Sequence, residues 1–268
     1  MTAPGPILTL TSDFGTADGY VGAMKGRILS IAPAARLCDI SHDIAPQEVL
    51  QGAWCLRRAA PRFPDGTVHL AVVDPGVGSA RAGLVVETER FLLVGPDNGL
   101  LFLAAREAGL RRSFRIRENP PHWHKSGSFD GLTMFAPVAA HLLLGAEPGA
   151  CGEPSEEMVE LPGPAPLRLG NEIHGAILFF DRFGNAISNI TCADLNNGEP
   201  GKIILTNGEE AVYCSHYAAL ADLRVRIGAI WNSDDHLELA LFGDSLRDSH
   251  RIQAGDGLRV LVKGESAP

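Results

Sequence analysis

The sequence predicts an α/β protein: an N-terminal, mostly parallel sheet flanked by helices, then a smaller C-terminal β-barrel. Three observations carry this. In the first half, short apolar runs alternate with helix-period segments, an order that builds a parallel sheet with helices on its faces. Residues 152–170 then hold four prolines, four glutamates and three glycines without core-forming periodicity. Beyond them come short β segments separated by Asn-Gly, Asp-Asp and Gly-Asp turns, the pattern of a small barrel or sandwich. The expected division is an α/β domain over 1–151, a linker over 152–170 and a β-barrel domain over 171–268.

The elements follow in order. A strand over 6–11 is succeeded by a Ser-Asp-Phe-Gly turn and a helix over 20–31, whose Val21, Met24, Ile28 and Ile31 recur at helical spacing. A strand over 36–40 leads to an amphipathic helix over 47–60, stopped by Pro61. Strands over 68–73, 83–86 and 91–94 precede helices over 100–108 and 138–144. The second half offers seven strands: 173–180, 186–190, 202–206, 211–215, 227–231, 236–241 and 258–262.

Composition limits the partners. With 268 residues and 45% hydrophobic content the chain can bury a real core, and its net charge of −9 argues against nucleic acid and anionic membranes. Five scattered cysteines without a Cys-x-x-Cys argue against disulfides or structural zinc and for a reducing, cytoplasmic setting. The start lacks the basic and apolar regions of a signal peptide, and no apolar run is long enough to span a bilayer.

Four polar clusters follow strands of the first domain, where open α/β sheets bind ligands. Asp74-Pro75-Gly76-Val77-Gly78-Ser79-Ala80-Arg81 is the most informative. A Gly-rich loop there commonly cradles phosphate, but the Asp74 carboxylate repels it, and Arg81 can pair with that carboxylate or hold a small anion. Ser12-Asp13-Phe14-Gly15-Thr16-Ala17-Asp18 places two carboxylates before a helix. Asp18 is as readily an N-cap as a ligand, whereas Asp13, directly after the strand, can hold both hydroxyls of a ribose. In Asp39-Ile40-Ser41-His42-Asp43 the histidine reads as a satisfied structural residue, and no metal site is expected. Ser126-Gly127-Ser128-Phe129-Asp130-Gly131 resembles a loop that admits close backbone approach to a ligand, though a Ser-Gly loop near a helix cap explains it too. In the barrel, Asp181-Arg182-Phe183-Gly184-Asn185 fits a hairpin turn, yet its Phe beside Asn and Asp suits stacking and hydrogen bonding to an adenine or amino-acid group.

Taken in order, Thr11-Ser12-Asp13-Phe14-Gly15, Asp39-Ile40-Ser41-His42, the Asp74 to Arg81 loop, Gly95-Pro96-Asp97-Asn98-Gly99, Phe135-Ala136-Pro137 and Asp181-Arg182-Phe183-Gly184-Asn185 resemble the S-adenosyl-L-methionine hydroxide adenosyltransferase family, relatives of the fluorinase and chlorinase. The resemblance implies a homotrimer, with S-adenosyl-L-methionine bound as substrate between one subunit's N-domain and a neighbour's C-domain, and no cofactor. It implies Asp13 at the ribose hydroxyls and Asp181, Phe183 and Asn185 at the methionine end or the neighbour's side, with Ser188 close by. Asp244 and Ser245 would lie near adenine, where Gly-Asp-Ser stands in place of the more usual Gly-Asn-Ala. Asp74 and Arg81 match two members of the family's water-positioning Asp-Arg-His set. The third departs: Phe129-Asp130-Gly131-Leu132-Thr133 stands where the hydrolases usually read Phe-His-Gly-Arg-Asp.

The expected reaction is attack of water or hydroxide at the ribose C5′, releasing methionine. The sulfonium is already a good leaving group, so positioning and a base suffice. An Asp130 lying against Asp74 is expected to share a proton with it and so act as the base. His124 of the same loop is an alternative imidazole. Two other functions remain: a binder of S-adenosylmethionine or adenosine that has lost catalysis with the histidine, and a halide-using adenosyl transferase, which two nearby carboxylates oppose.

Overall fold

The computed structural model describes residues 5–117, 128–161, 165–223 and 226–263. The chain divides into two compact units, Met1–Leu161 and Pro162–Pro268. No helix among the described residues is long and apolar enough to cross a membrane.

The first unit runs β1 (Ile7–Ser12), α1 (Tyr20–Ile31), β2 (Arg36–Ser41), α2 (Val49–Ala59), β3 (Val68–Val72), β4 (Gly83–Thr88), β5 (Leu92–Pro96), α3 (Phe102–Glu107), β6 (Leu110–Ile116), α4 (Ala136–Leu143), α5 (Pro148–Cys151) and β7 (Gly152–Ser155). Its seven strands form one sheet in the order β2-β1-β3-β5-β4-β6-β7. The β2-β1-β3-β5 half is parallel and the rest antiparallel. The switch comes at β4 and β5, whose connection is too short for a crossover helix and closes a hairpin instead.

The interior strand β3 shows why the sheet is buried on both faces. Val68, Leu70 and Val72 of β3 enter one core with Leu8, Met24, Ile28 and Val138, while Ala71 and Val73 enter the other with Leu56, Leu101 and Ala104. A strand buried along its whole length, apolar here except for His69, is what a parallel sheet covered on both sides requires. Each fully buried leucine contributes roughly 1.5–3 kcal/mol.

The second unit contains β8 (Leu167–Leu169), β9 (Glu172–Phe180), β10 (Ala186–Thr191), β11 (Pro200–Leu205), β12 (Glu210–Tyr213), β13 (Gly228–Trp231), β14 (His236–Ala240), α6 (Leu246–Ser249) and β15 (Gly257–Val262). Strands β10-β14-β13-β12-β11-β15-β9 are hydrogen-bonded in sequence, and a β9–β10 pairing closes them into a seven-stranded barrel. These are the seven strands that the sequence predicts. Alternate residues such as Ile173, Ile177, Ile203, Leu205, Leu237, Leu239 and Val260 fill its interior.

The stretch read as a linker contributes to both sheets. β7 pairs with β6, and β8 pairs with the first residues of β9. Both strands are short and mostly exposed, so backbone pairing supports them and no apolar alternation marks them. β6 was also absent from the sequence reading; its three arginines hide a strand in which Ser113, Phe114 and Ile116 are buried.

Candidate active site

The sheet brings the first-unit motifs together by register. β1 and β3 are parallel neighbours with Ser12 opposite Val72, so Asp13 and Asp74 leave the sheet at the same edge. Asp74 begins a tight loop: its Oδ1 accepts the Gly76 N–H at 3.2 Å, and Gly78 takes a φ of 81°, which disfavours any residue with a Cβ. The following turn clamps both ends of that loop. Asn98 Nδ2 donates to the Val73 carbonyl at 2.9 Å, and the Asp97 N–H donates to the Ala82 carbonyl at 2.8 Å.

Within this frame Arg81 bridges two carboxylates. Its Nε donates to both Asp74 oxygens at 2.9 Å, and one terminal nitrogen bonds Asp74 and also Asp130, the latter at 2.6 Å. The three side chains are 10%, 5% and 2% exposed for Arg81, Asp74 and Asp130, so the charges meet largely out of solvent, where such bonds are strong. The guanidinium carbon also lies 5.2 Å from the centroid of the Phe135 ring. Asp130 heads a π-turn, Gly131–Phe135, that runs directly into α4. Such wide turns are frequent at functional sites. Asp74 and Asp130 bond the same terminal nitrogen, so Arg81 links the two carboxylates.

Phe129 ties Asp130 to the β1 loop. Its ring meets Phe14 edge-on at 5.4 Å and Tyr20 at 5.2 Å, forming an aromatic triangle beside Asp13. Gly131 permits this packing, since a Cβ there would lie 2.8 Å from the Phe129 ring and 3.1 Å from Met24 Sδ. Ser128 is exposed at the rim. Asp18 is exposed as well, and it caps nothing: Gly19 precedes α1 in a left-handed conformation without a side-chain cap. Ser126, Gly127 and His124 lie outside the described residues.

Two residues that the sequence did not single out as functional support Asp13. Gln47, with a φ of 68°, donates its N–H to Asp13 Oδ2 at 2.8 Å. Such a backbone is strained for a residue with a side chain and is tolerated mainly where its surroundings enforce it. His42 Nδ1 lies 2.7 Å from Ser12 Oγ, but its buried Nε2 makes no hydrogen bond and only approaches Asp39 Oδ1 at 3.2 Å, so the histidine is satisfied on one side alone. No composition or spacing signal marks Gln47, because glutamine has no preference for positive φ.

In the barrel, the predicted hairpin turn is present between β9 and β10. Asp181 organises it: Oδ1 accepts the N–H groups of Phe183 and Asn185, both at 2.9 Å, and Oδ2 accepts Asn185 Nδ2 at 3.2 Å. The turn displays Phe183, 75% exposed, and keeps Asn185 buried with its Oδ1 unbonded. Gly184 abuts the 242–249 loop, where a Cβ would lie 2.1 Å from Ser245 Oγ. The two loops therefore form one surface. Ser245 caps α6 by accepting the Asp248 N–H at 3.2 Å. Asp244 accepts from Ser249 Oγ and the Ser245 N–H, and these bonds lower its pKa. Ser188 stands apart from this surface: it is fully buried in the barrel wall and donates its hydroxyl to the Leu237 carbonyl at 2.8 Å.

Comparison with known proteins identifies the family. Residues 8–152 match the SAM hydroxide adenosyltransferase N-terminal domain, and residues 175–259 match the C-terminal domain of the same name. The chain is 37% identical over 265 residues to an (R)-S-adenosyl-L-methionine hydrolase of Methanocaldococcus jannaschii, covering 95% of each. A crystal structure of an uncharacterized conserved protein from Thermotoga maritima superposes with a TM-score of 0.84 at 29% identity, over 95% of this chain and 99% of that one. A fluorinase from an Actinoplanes species is more distant, 26% identical over 224 residues that cover 73% of this chain and 75% of that one. Two domain matches spanning most of the chain and a hydrolase relative aligned nearly end to end place this chain in the SAM hydroxide adenosyltransferase family.

Proposed function

We propose that this chain hydrolyses S-adenosyl-L-methionine to adenosine and L-methionine. The observation that carries this reading is the buried Asp74–Arg81–Asp130 bridge at the ligand-binding edge of the parallel sheet. One guanidinium between two carboxylates leaves the group with net negative charge. It therefore repels halide and accepts hydrogen bonds from a neutral water. The hydrolase relative, similar along its whole length, supports the same choice.

In this reading water is held by Asp74 and Asp130 and attacks C5′ in line with the sulfonium. The O–C5′ bond forms as the C5′–S bond breaks. The bonding pair returns to sulfur as the methionine thioether, and a carboxylate of the bridge takes the water's proton. Arg81 stabilises the developing hydroxide and keeps both carboxylates aimed. Asp130 takes the place of the family's histidine as base, a contribution of about 10²–10⁴-fold for general-base catalysis. No metal or cofactor takes part.

Asp13 holds the ribose hydroxyls, while Phe129 and Ser128 line the rim. Asp181, Phe183 and Asn185 serve the methionine end, and Asp244 and Ser245 the adenine, from the barrel of a neighbouring subunit. In this reading the protein works as a homotrimer in the cytoplasm. Phe183 supports that assignment, because an aromatic ring 75% exposed on a well-ordered turn is suited to contact outside its own chain.

The test is product analysis by chromatography after incubation with S-adenosylmethionine, with and without added chloride or fluoride. Adenosine and methionine in every case support the reading. Halogenated deoxyadenosine overturns it, and tight binding without product makes the protein a binder.

A further inference from the structure

We infer that Ser12, His42 and Asp39 form a positioning relay that holds Asp13 in its ligand-ready orientation. The inference rests on the reading of Asp13 as the ribose-binding carboxylate. Its geometry begins in the sheet. β1 and β2 run in parallel with Leu10 opposite Asp39, but the register slips so that Thr11 faces Ser41. That bulge brings Ser12 across from His42, and bulges of this kind re-aim side chains next to active sites.

The contacts then lead from a buried hydroxyl to the surface, through a hydrogen bond at His42 Nδ1 and a close approach, without a hydrogen bond, at Nε2. Ser12 is fully buried, and its Oγ lies 2.7 Å from His42 Nδ1. His42 Nε2 lies 3.2 Å from Asp39 Oδ1, and Asp39 Oδ2 accepts from Lys25 Nζ of α1 at 2.6 Å. Partial burial raises the Asp39 pKa, but the adjoining Lys25 and His42 outweigh it, so the net shift is downward and the carboxylate is kept ionised. Serine, histidine and aspartate in a row suggest a nucleophile at first sight. Ser12 cannot be one: its oxygen is sealed from solvent and already accepts the Phe14 N–H at 3.3 Å.

What the relay does control is the turn carrying Asp13. Ser12 Oγ holds Phe14, and the His42 carbonyl accepts the Gly15 N–H at 2.8 Å, so both residues after Asp13 are fixed from this pair. The Gln47 N–H fixes one oxygen of Asp13 itself at 2.8 Å. All three restraints come from Ser12 or the segment following β2. Loosening His42 frees Ser12 Oγ to rotate, and the turn loses its reference.

The experiment compares His42→Ala, His42→Asn and Ser12→Ala with wild type. Asparagine offers an acceptor near the place of Nδ1, so it should rescue what alanine loses. Expected for His42→Ala and Ser12→Ala is a KM for S-adenosylmethionine raised about 10-fold, equivalent to about 1.4 kcal/mol of lost binding, with kcat changed less than about 3-fold. His42→Asn should recover most of the KM. Hydrogen exchange without ligand supplies a readout independent of turnover: the Phe14 and Gly15 amides should exchange about 10-fold faster in His42→Ala, while the Leu70 amide stays protected. Unchanged protection of Phe14 and Gly15, equal loss in His42→Asn and His42→Ala, or a loss confined to kcat overturns the inference. Absence of wild-type turnover defeats the functional reading alone, and the exchange data then decide whether the relay holds the turn.

Discussion

The two acidic turns of the molecule, one in each unit, look alike in sequence and are used oppositely. Asp74 and Asp181 each follow an apolar strand and precede a glycine two or three residues on. Asp181 turns its carboxylate onto its own loop, satisfying the N–H groups of Phe183 and Asn185. Asp74 gives one weak bond to its loop and meets Arg81 with both oxygens, and Arg81 reaches Asp130 as well. The first arrangement builds a rigid display for Phe183. The second gathers charged side chains at a sheet edge. An aspartate two or three residues before a glycine thus announces a turn, and only the partner across the fold says whether the carboxylate is structure or chemistry.

The strongest way to break this contrast is to remove Asp74. Asp74→Ala should lower kcat by about 10³-fold or more, since it removes both a water acceptor and half of the Arg81 bridge. Steady-state turnover of S-adenosylmethionine measures it. Asp130→Asn keeps the shape but removes a charge and should cost about 10²-fold. Asp130→His, which restores the residue usual in the family, should retain turnover well above the asparagine variant. Equal activities for Asp130→Asn and wild type would remove Asp130 from the mechanism.

The first unit also carries an acid-sensitive group. His69 is fully buried between the Phe63 and Phe91 rings, with Nδ1 2.7 Å from Thr9 Oγ1. Burial, with help from the positive charge of Arg90, pushes its pKa down to about 4. The folded state therefore favours neutral imidazole while the unfolded chain protonates near 6.5. Stability from this group is complete above pH 6.5 and is lost as pH falls toward 4, up to about 3 kcal/mol. Chemical denaturation at pH 7 and pH 4 should show this loss, and His69→Leu should flatten it.

Smaller effects belong to the barrel. Asp181→Ala leaves two turn N–H groups without their acceptor and should destabilise the barrel by about 1–2 kcal/mol, read as a shift in denaturation midpoint. Ser188→Ala removes one buried hydroxyl bond, about 1 kcal/mol. Its KM should stay at the wild-type value, because Ser188 bonds the Leu237 carbonyl inside the wall.

Much of this was legible in the residues. Period-two and period-3.6 patterns found the parallel half of the first sheet and every strand of the barrel, because those elements bury apolar faces. β7 and β8 escaped because backbone pairing alone supports them, and β6 because arginines break its alternation. In the site, Asp74 and Arg81 lie seven positions apart on one loop, so their pairing could be expected from spacing. The Arg81–Asp130 bond joins residues 49 apart, and only the fold shows that Arg81 links the two carboxylates. Gln47 was invisible, since its contribution is a backbone N–H in a strained conformation.

In the proposed mechanism the Arg81-bridged carboxylates deliver water to C5′. The most direct test is turnover of S-adenosylmethionine in ¹⁸O-water by wild type and Asp74→Ala, with mass spectrometry of the adenosine and calorimetric binding for both. ¹⁸O is expected in the 5′-hydroxyl from wild type, and binding with little product from the variant. Unlabelled adenosine, or labelled adenosine formed equally fast by Asp74→Ala, would contradict that mechanism.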